Sequence, residues 1–234
     1  MIKSLFTIIL SLSLFSSLGA ADILYLRDNL RKAQKGDYIV TSQSKAYSIL
    51  YVQEKNSGQI AIQEINIPSS KVPAKDFSWR NWMLQGAPGS SSRILYNIDL
   101  ATAQILNTYC LSSEGWRERH LEDNFLSTLL NLRLEIIPLK QRRRIGSSGM
   151  ANPNDKRPAW QPKVIVDGQV VPQVTLDAWS TVWPKDGSEL SGKVVEAYLP
   201  QENSDFPAYF PYWLQVNGML GNAKIRIVDS GRNL

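Results

Sequence analysis

The spacing of apolar residues changes character several times along this chain. Residues 22–35, "DILYLRDNLRKAQK", place Ile23, Leu26, Leu30 and Ala33 at helical intervals, which predicts an amphipathic helix. Asp22 stands where a cap is useful, Arg31, Lys32 and Lys35 fall in the last turn, and Gly36 is a natural stop. Then the period shortens. "DYIVTS" (37–42), "AYSILYVQ" (46–53) and "GQIAIQEINI" (58–67) are β-branched and aromatic, with "KNSG" (55–58) as turn chemistry between the last two. In 58–67 the isoleucines alternate at 60 and 62, then slip by one to 65 and 67, which predicts a bulge near Glu64.

Residues 75–93 are less regular, with Phe77, Trp79 and Trp82 placed to cap the open end of a curved sheet and "GAPGSSS" (86–92) as a loop. "RILYNID" (93–99) reads as a strand, residues 100–110 as a weak helix and 114–131 as a stronger one. The stronger helix carries the stripe Leu121, Phe125, Leu126, Leu129 and Leu130. "LRLEIIPL" (132–139) returns to strand, and 140–162 is a long basic, then Gly/Ser/Asn/Pro-rich loop. "KVIVDGQVVPQV" (163–174) puts Asp167-Gly168 between two apolar runs, the signature of a primed hairpin turn. Three more strands follow at 193–200, 209–216 and 223–231. The fold class expected is α+β. A strongly curved antiparallel sheet of nine or ten strands, a half-barrel, has an N-terminal helix and one or two mid-chain helices on its concave face.

"MIKSLFTIILSLSLFSSLGAAD" opens the chain with a lysine, an apolar run from Leu5 to Leu18 and small residues at 19–21. That is the layout of a secretory signal peptide cleaved near Ala21, the apolar run being short of the ~20 residues that span a bilayer. The expected product is a single β-rich exported domain, residues 22–234, in the periplasm or secreted. A net charge of +5 is too mild to indicate a nucleic-acid binder. One cysteine permits no intramolecular disulfide.

Candidate chemistry is sparse. His120 is the lone histidine, with Cys110 upstream and Asp123 one turn on, and no nucleophile motif surrounds them. One His and one Cys do not make a zinc set, and no calcium or phosphate loop occurs. Glu114, Glu118, Glu122 and Asp123 read as a solvated helix face rather than a hydrolytic pair. No catalytic residue, metal or cofactor is expected, and the protein is read as non-enzymatic. The run "KQRRR" (140–144) offers Lys140, Arg142, Arg143 and Arg144 as a basic patch for head groups or another polyanion. "DFPAYFPYWLQV" (205–216) packs five aromatics and two prolines into twelve residues. It predicts a strand from Phe210 to Val216, at an edge or bent by Pro211, with bulk on both faces.

In the order of its elements the chain resembles the periplasmic lipoprotein-carrier superfamily. The residues that carry the likeness are "DILYLRDNLRKAQKGDYIVTSQSKAYSILYV" at the start and "SGKVVEAYLP", "FPYWLQV" and "AKIRIVDSG" near the end. The resemblance is one of layout, and implies a half-barrel whose helices fill its mouth. Combined with the aromatic content, it leads to a non-enzymatic carrier for a lipid, lipoprotein or other apolar moiety. The expected lining is Trp79, Trp82, Trp179, Trp183, Phe210 and Trp213, and each buried CH₂ of an acyl chain contributes about 0.8 kcal/mol. A cell-envelope protein–protein interaction module, with peripheral membrane contact, is the alternative, and a hydrolase is the third reading.

Overall fold

The computed structural model describes residues 22–73, 77–119, 125–146, 154–201, 205–218 and 221–234. The elements run β1 (Ile23–Tyr25), α1 (Leu26–Leu30), β2 (Tyr38–Gln43), β3 (Ala46–Lys55), β4 (Gln59–Pro68), α2 (Trp79–Leu84), β5 (Ser92–Asp99), β6 (Ile105–Ser112) and β7 (Gly115–Glu118). They continue with α3 (Phe125–Asn131), β8 (Arg133–Ile136), β9 (Ile165–Val166), β10 (Gln169–Val170), β11 (Leu176–Val182), β12 (Val194–Pro200), β13 (Trp213–Gly218) and β14 (Gly221–Gly231). Twelve strands form one antiparallel sheet in the order β1-β8-β11-β12-β13-β14-β2-β3-β4-β5-β6-β7, curved but not closed, and β9–β10 is a separate hairpin. The class is α+β, as the sequence indicated, with more strands than the nine or ten expected.

Two apolar clusters lie on opposite faces of strands β2 to β4, and the larger wraps both faces at β12 and β13. The larger gathers Ile39, Val52, Ile60, Ile62 and Ile98 with Leu26 and Leu30 of α1, Leu129 and Leu130 of α3, and Phe206, Tyr209, Phe210 and Tyr212. The smaller gathers Tyr38, Val40, Ile49, Ile65 and Ile67 under Trp79 and Trp82 of α2. Neighbouring residues of one strand point to opposite sides, so strands β2 to β4 feed both clusters. This explains the slip of the isoleucines in β4. Its pairing with β5 runs without interruption from Gln59↔Asp99 to Asn66↔Ser92. No bulge is needed in β4: Ile60 and Ile62 pack on one face, Ile65 and Ile67 on the other. The register shift lies in β3, between Val52 and Glu54.

Three predicted helices change. Residues 23–25 pair with β8 as an edge strand, Ile23↔Glu135 to Tyr25↔Arg133, and the helix is confined to Leu26–Leu30. Its N-cap is Tyr25, which makes no side-chain capping bond, so Asp22 is not the cap. The weak helix at 100–110 is β6 in its second half, held by Ile94↔Cys110 through Ile98↔Ile105 to β5. The stronger helix splits: Gly115–Glu118 form a strand against β6 and, among the described residues, Phe125–Asn131 are helical, while 120–124 lie outside them. β-branched and aromatic residues between a strand and an open edge gain more from ladder pairing than from a solvated helix. The segment 209–216 begins its strand at Trp213, and that strand is central, between β12 and β14, rather than at an edge.

The Asp167-Gly168 hairpin forms as predicted, with φ of 47° and 76°. It docks on the end of β14. Asp167 donates its N–H to Ser230 O at 2.8 Å, and Asp229 Oδ1 accepts from the Gly168 N–H at 3.0 Å and the Ser230 N–H at 2.9 Å. Tyr38 donates its hydroxyl to Asp167 Oδ1 at 2.8 Å, and Arg80 Nη1 lies 3.6 Å from the same oxygen. Gly231 sits in this junction: a Cβ there falls 2.5 Å from Tyr38 Cε1 and 2.6 Å from Asp167 Oδ1. Burial pushes the Asp229 carboxyl up to about 6, the negative Asp167 adds to this, and the two N–H donors pull the other way.

Two predictions follow from this junction. Because the folded-state pKa of Asp229 is raised, its contribution to stability is greatest below about pH 4 and is lost as pH rises through 6. Asp229→Asn keeps an acceptor for both N–H groups, so denaturation midpoints of the variant should lose that component of the fall between pH 4 and 6. Gly231→Ala should cost roughly 1–3 kcal/mol in equilibrium unfolding, because Tyr38 and Asp167 must separate to admit the methyl group.

Candidate functional site

The aromatics of 205–216 pack on the sheet together with α1 and α3. Phe206, Tyr209, Phe210 and Tyr212 are buried in the main cluster. Tyr209 donates its hydroxyl to Leu50 O at 2.7 Å, and Tyr212 donates to Pro207 O at 3.0 Å and lies 3.0 Å from Ser230 Oγ. The two prolines sit ahead of the strand, where neither takes a ladder position. This segment is a plug built from the chain itself.

The six aromatics expected to line one cavity are distributed over three places. Trp79 and Trp82 pack with Phe77 in the smaller cluster, on the far side of β2 to β4 from α1 and α3; Trp79 and Trp82 cross at 90° with centroids 5.9 Å apart. An open hollow of ≈ 450 Å³ borders Trp82, Phe77 and Lys71 there. Trp183 stacks on Phe125 of α3 at 5.5 Å and donates its indole N–H to Asp186 Oδ2, while Trp179 and Phe210 pack into the main cluster. Trp213 faces the other side of β13, where Trp160 crosses it at 4.9 Å and crosses Tyr198 at 5.2 Å. The loop at 140–162 thus supplies the cover that the second bulky face of this strand requires. Residues 147–153 of that loop, and His120 and Asp123, lie outside the described residues. Cys110 is half-buried in β6.

The basic run is mostly a clamp. Arg142 donates to Ile137 O, Leu176 O and Asp177 Oδ1, the last at 2.8 Å, and is 9 % exposed. Arg143 pairs with Glu196 at 2.7 Å, their side chains 15 % and 12 % exposed, and its guanidinium stands over the Trp160 ring. Arg144 donates to Leu139 O, and Lys140 is exposed. A cleft of ≈ 250 Å³ opens beside the Arg143–Glu196 pair, lined also by Glu135, Ser180 and Asn217. Burial pushes the nearby Tyr198 phenol well above its ordinary range, and the Glu196 charge pushes the same way.

A second cleft, of ≈ 320 Å³, opens at the rim of the plug, where β2 begins and β12 and β14 end. Asn29, Lys32, Asp37, Gln201 and Arg232 supply its polar wall, and Pro200, Phe206, Pro207 and Ala208 its apolar wall. Asp37 has a side chain only 2 % exposed. One of its oxygens, Oδ2, accepts the Gln34 N–H at 2.9 Å. The other, Oδ1, and the Nε–H of Arg232 are both buried without a hydrogen-bond partner, 3.7 Å apart. Burial raises the Asp37 carboxyl above its usual range, against the pull of the Gln34 N–H and the Arg232 charge. The carboxylate and the guanidinium meet as an ion pair, within charge–charge range and beyond hydrogen-bond distance. Neither residue stood out in the sequence, because Asp37 reads as a turn residue after Gly36 and Arg232 as a tail residue. Only the sheet order, which sets β2 beside β14, brings them together.

The chain shares its architecture with a solved protein. The 2.0 Å structure of the hypothetical protein CT021 from Chlamydia trachomatis matches it with a TM-score of 0.64 and 19 % identity, over 90 % of this chain and 93 % of that one. At this identity the likeness is one of fold. The family model described as CT021 protein matches residues 48–172, which run from β3 past β10. No curated protein matches the sequence.

The clamp reading carries its own test. Arg143→Ala leaves Glu196 buried without its partner and should cost roughly 3 kcal/mol or more in chemical denaturation. Lys140→Ala in the same run should stay within about 0.5 kcal/mol of the parent.

Proposed function

The chain belongs to the CT021 protein family, and on that footing we propose that it is an exported, non-enzymatic binding protein of the cell envelope whose ligand occupies the rim cleft. The observation that carries this reading is a ≈ 320 Å³ cleft with Asn29, Lys32, Asp37, Gln201 and Arg232 on one wall and Pro200, Phe206, Pro207 and Ala208 on the other. Ligand sites combine an apolar wall with a few placed polar groups, as this cleft does. The opening 21 residues, with their basic start, apolar run and small residues, support export to the periplasm.

The layout of a helix followed by a curved sheet is also that of the lipoprotein carriers. The concave face here bears on what is carried. It is filled by Leu26, Leu30, Leu129, Leu130 and the plug aromatics. An acyl chain could enter only by displacing four buried aromatic side chains, one of them bonded to Leu50 O. A small molecule in the rim cleft displaces nothing.

Native mass spectrometry of the protein purified from expressing cells tests the assignment. A small-molecule adduct is expected on the parent and should be lost in Asp37→Ala and Arg232→Ala. A phospholipid or fatty-acid adduct retained by both variants overturns it in favour of a lipid carrier.

A further inference from the structure

We propose that the open hollow beside α2 is a second binding site, and that it takes one ring of a short oligosaccharide, with the hydrocarbon face of the ring on Phe77 and its hydroxyls on Asn81 and Gln85. The site is separate from the rim cleft and does not depend on it. α2 has two sides. Trp79 and Met83 turn to the smaller apolar cluster. Ser78, Asn81, Trp82 and Gln85, at i, i+3, i+4 and i+7, line the ≈ 450 Å³ hollow instead. Lys71 and Pro73 reach it from the segment after β4, Phe77 from just before the helix and Pro88 from just after it. Lys71, Ser78, Asn81 and Gln85 are exposed and Phe77 is half-buried, so the groups that a solute must touch are accessible to it.

The mixture of groups selects the ligand. A side-chain amide offers a donor and an acceptor at one planar end, and a sugar hydroxyl likewise gives and takes a hydrogen bond. Asn81 and Gln85 stand one turn apart on the same side of the helix, about 5–6 Å between their β-carbons, which is the spacing to bond different hydroxyls of one ring. The Lys71 ammonium adds donors that a hydroxyl can accept. A pyranose carries C–H bonds on its faces, and these meet an aromatic ring such as Phe77 through many weak contacts. Pro73 and Pro88 extend the apolar wall. An acyl chain would leave both amides unanswered, and a simple ion would leave the aromatic surface unused. The hollow lies within the range of about 300–1,000 Å³ in which small-molecule sites fall, and it is open enough for a chain of sugars to continue past the ring that is held.

The lining is fixed before a ligand arrives. Ser78 Oγ accepts the Asn81 N–H at 3.2 Å and sets the start of the helix. Phe77 crosses Trp79 at 86° with ring centroids 4.7 Å apart. Trp82 donates its indole N–H to Pro88 O at 3.0 Å, which ties the loop after the helix to the helix itself. The Arg93 guanidinium donates to the carbonyls of Gly86 and Ala87 and braces the same loop from β5. A preorganised wall lowers the ordering cost of binding.

Saturation-transfer NMR on the full exported chain tests the proposal. The probes are cellobiose, maltose and N,N′-diacetylchitobiose, with sorbitol as a polyol that has hydroxyls and no ring. At least one disaccharide should show saturable transfer with Kd below about 10 mM, and sorbitol should bind at least tenfold more weakly. Asn81→Ala and Gln85→Ala should each weaken the disaccharide at least threefold, and Phe77→Ala should abolish its binding. Asp37→Ala, in the rim cleft, should leave it unchanged, so failure of one site is distinguishable from failure of the other. Should Phe77→Ala fail to fold, the two exposed amide variants decide the matter. No saturable transfer from any disaccharide up to about 20 mM overturns the proposal. So does sorbitol binding as well as the disaccharides, or full affinity in both amide variants. A hexaproline peptide that binds the parent and is lost in the amide variants, with no sugar binding, assigns the hollow to a peptide and overturns the saccharide.

Discussion

Strands β2, β3 and β4 carry apolar side chains on both faces, and neither face can be left to water. β4 alone buries four isoleucines, Ile60 and Ile62 on one side and Ile65 and Ile67 on the other. At roughly 1.5–3 kcal/mol for each buried side chain, the four together match the whole net stability of an ordinary domain. The sheet must therefore be sandwiched. α1, α3 and the plug cover one side, while α2 and the segment around Phe77 cover the other. Every other choice in the fold, including where a ligand can enter, is made within the space those two covers leave.

The strands were legible in the sequence because a strand with a buried face writes its period directly. The Asp167-Gly168 hairpin was legible for a different reason, since few dipeptides accept left-handed conformations at both turn positions. What misled was a shared signature. "DILYLRDNLRKAQK" carries a helical stripe through Ala33, yet its first residues pair with β8, a partner more than a hundred positions away that local spacing cannot see. The same limit turned residues 105–118 from helix to hairpin, and moved the aromatic strand from an edge to the centre of the sheet. The slip in β4 held real information, misassigned: it marked a change of covered face rather than an inserted residue.

Charged residues were the least legible. "KQRRR" looks like a surface patch, but Arg142 and Arg143 turn inward to Asp177 and Glu196 and pin the following segment, with Trp160, across β12 and β13. Composition cannot distinguish a solvated arginine from one that finds a carboxylate on a neighbouring strand. At the rim cleft, too, two charges that are unremarkable in the sequence meet only in the fold. Asp37 and Arg232 stand 3.7 Å apart as an ion pair, the aspartate almost wholly buried.

The pairing of β2 with β14 joins residues 38–42 to residues 226–231, so the middle of the sheet is made from opposite ends of the chain. Such a topology has a high contact order, and closing so large a loop precedes any reward from the ladder. Removing β14 would leave both β13 and β2 as unpaired edges in the middle of the sheet, so truncation at that end strikes its centre rather than its rim.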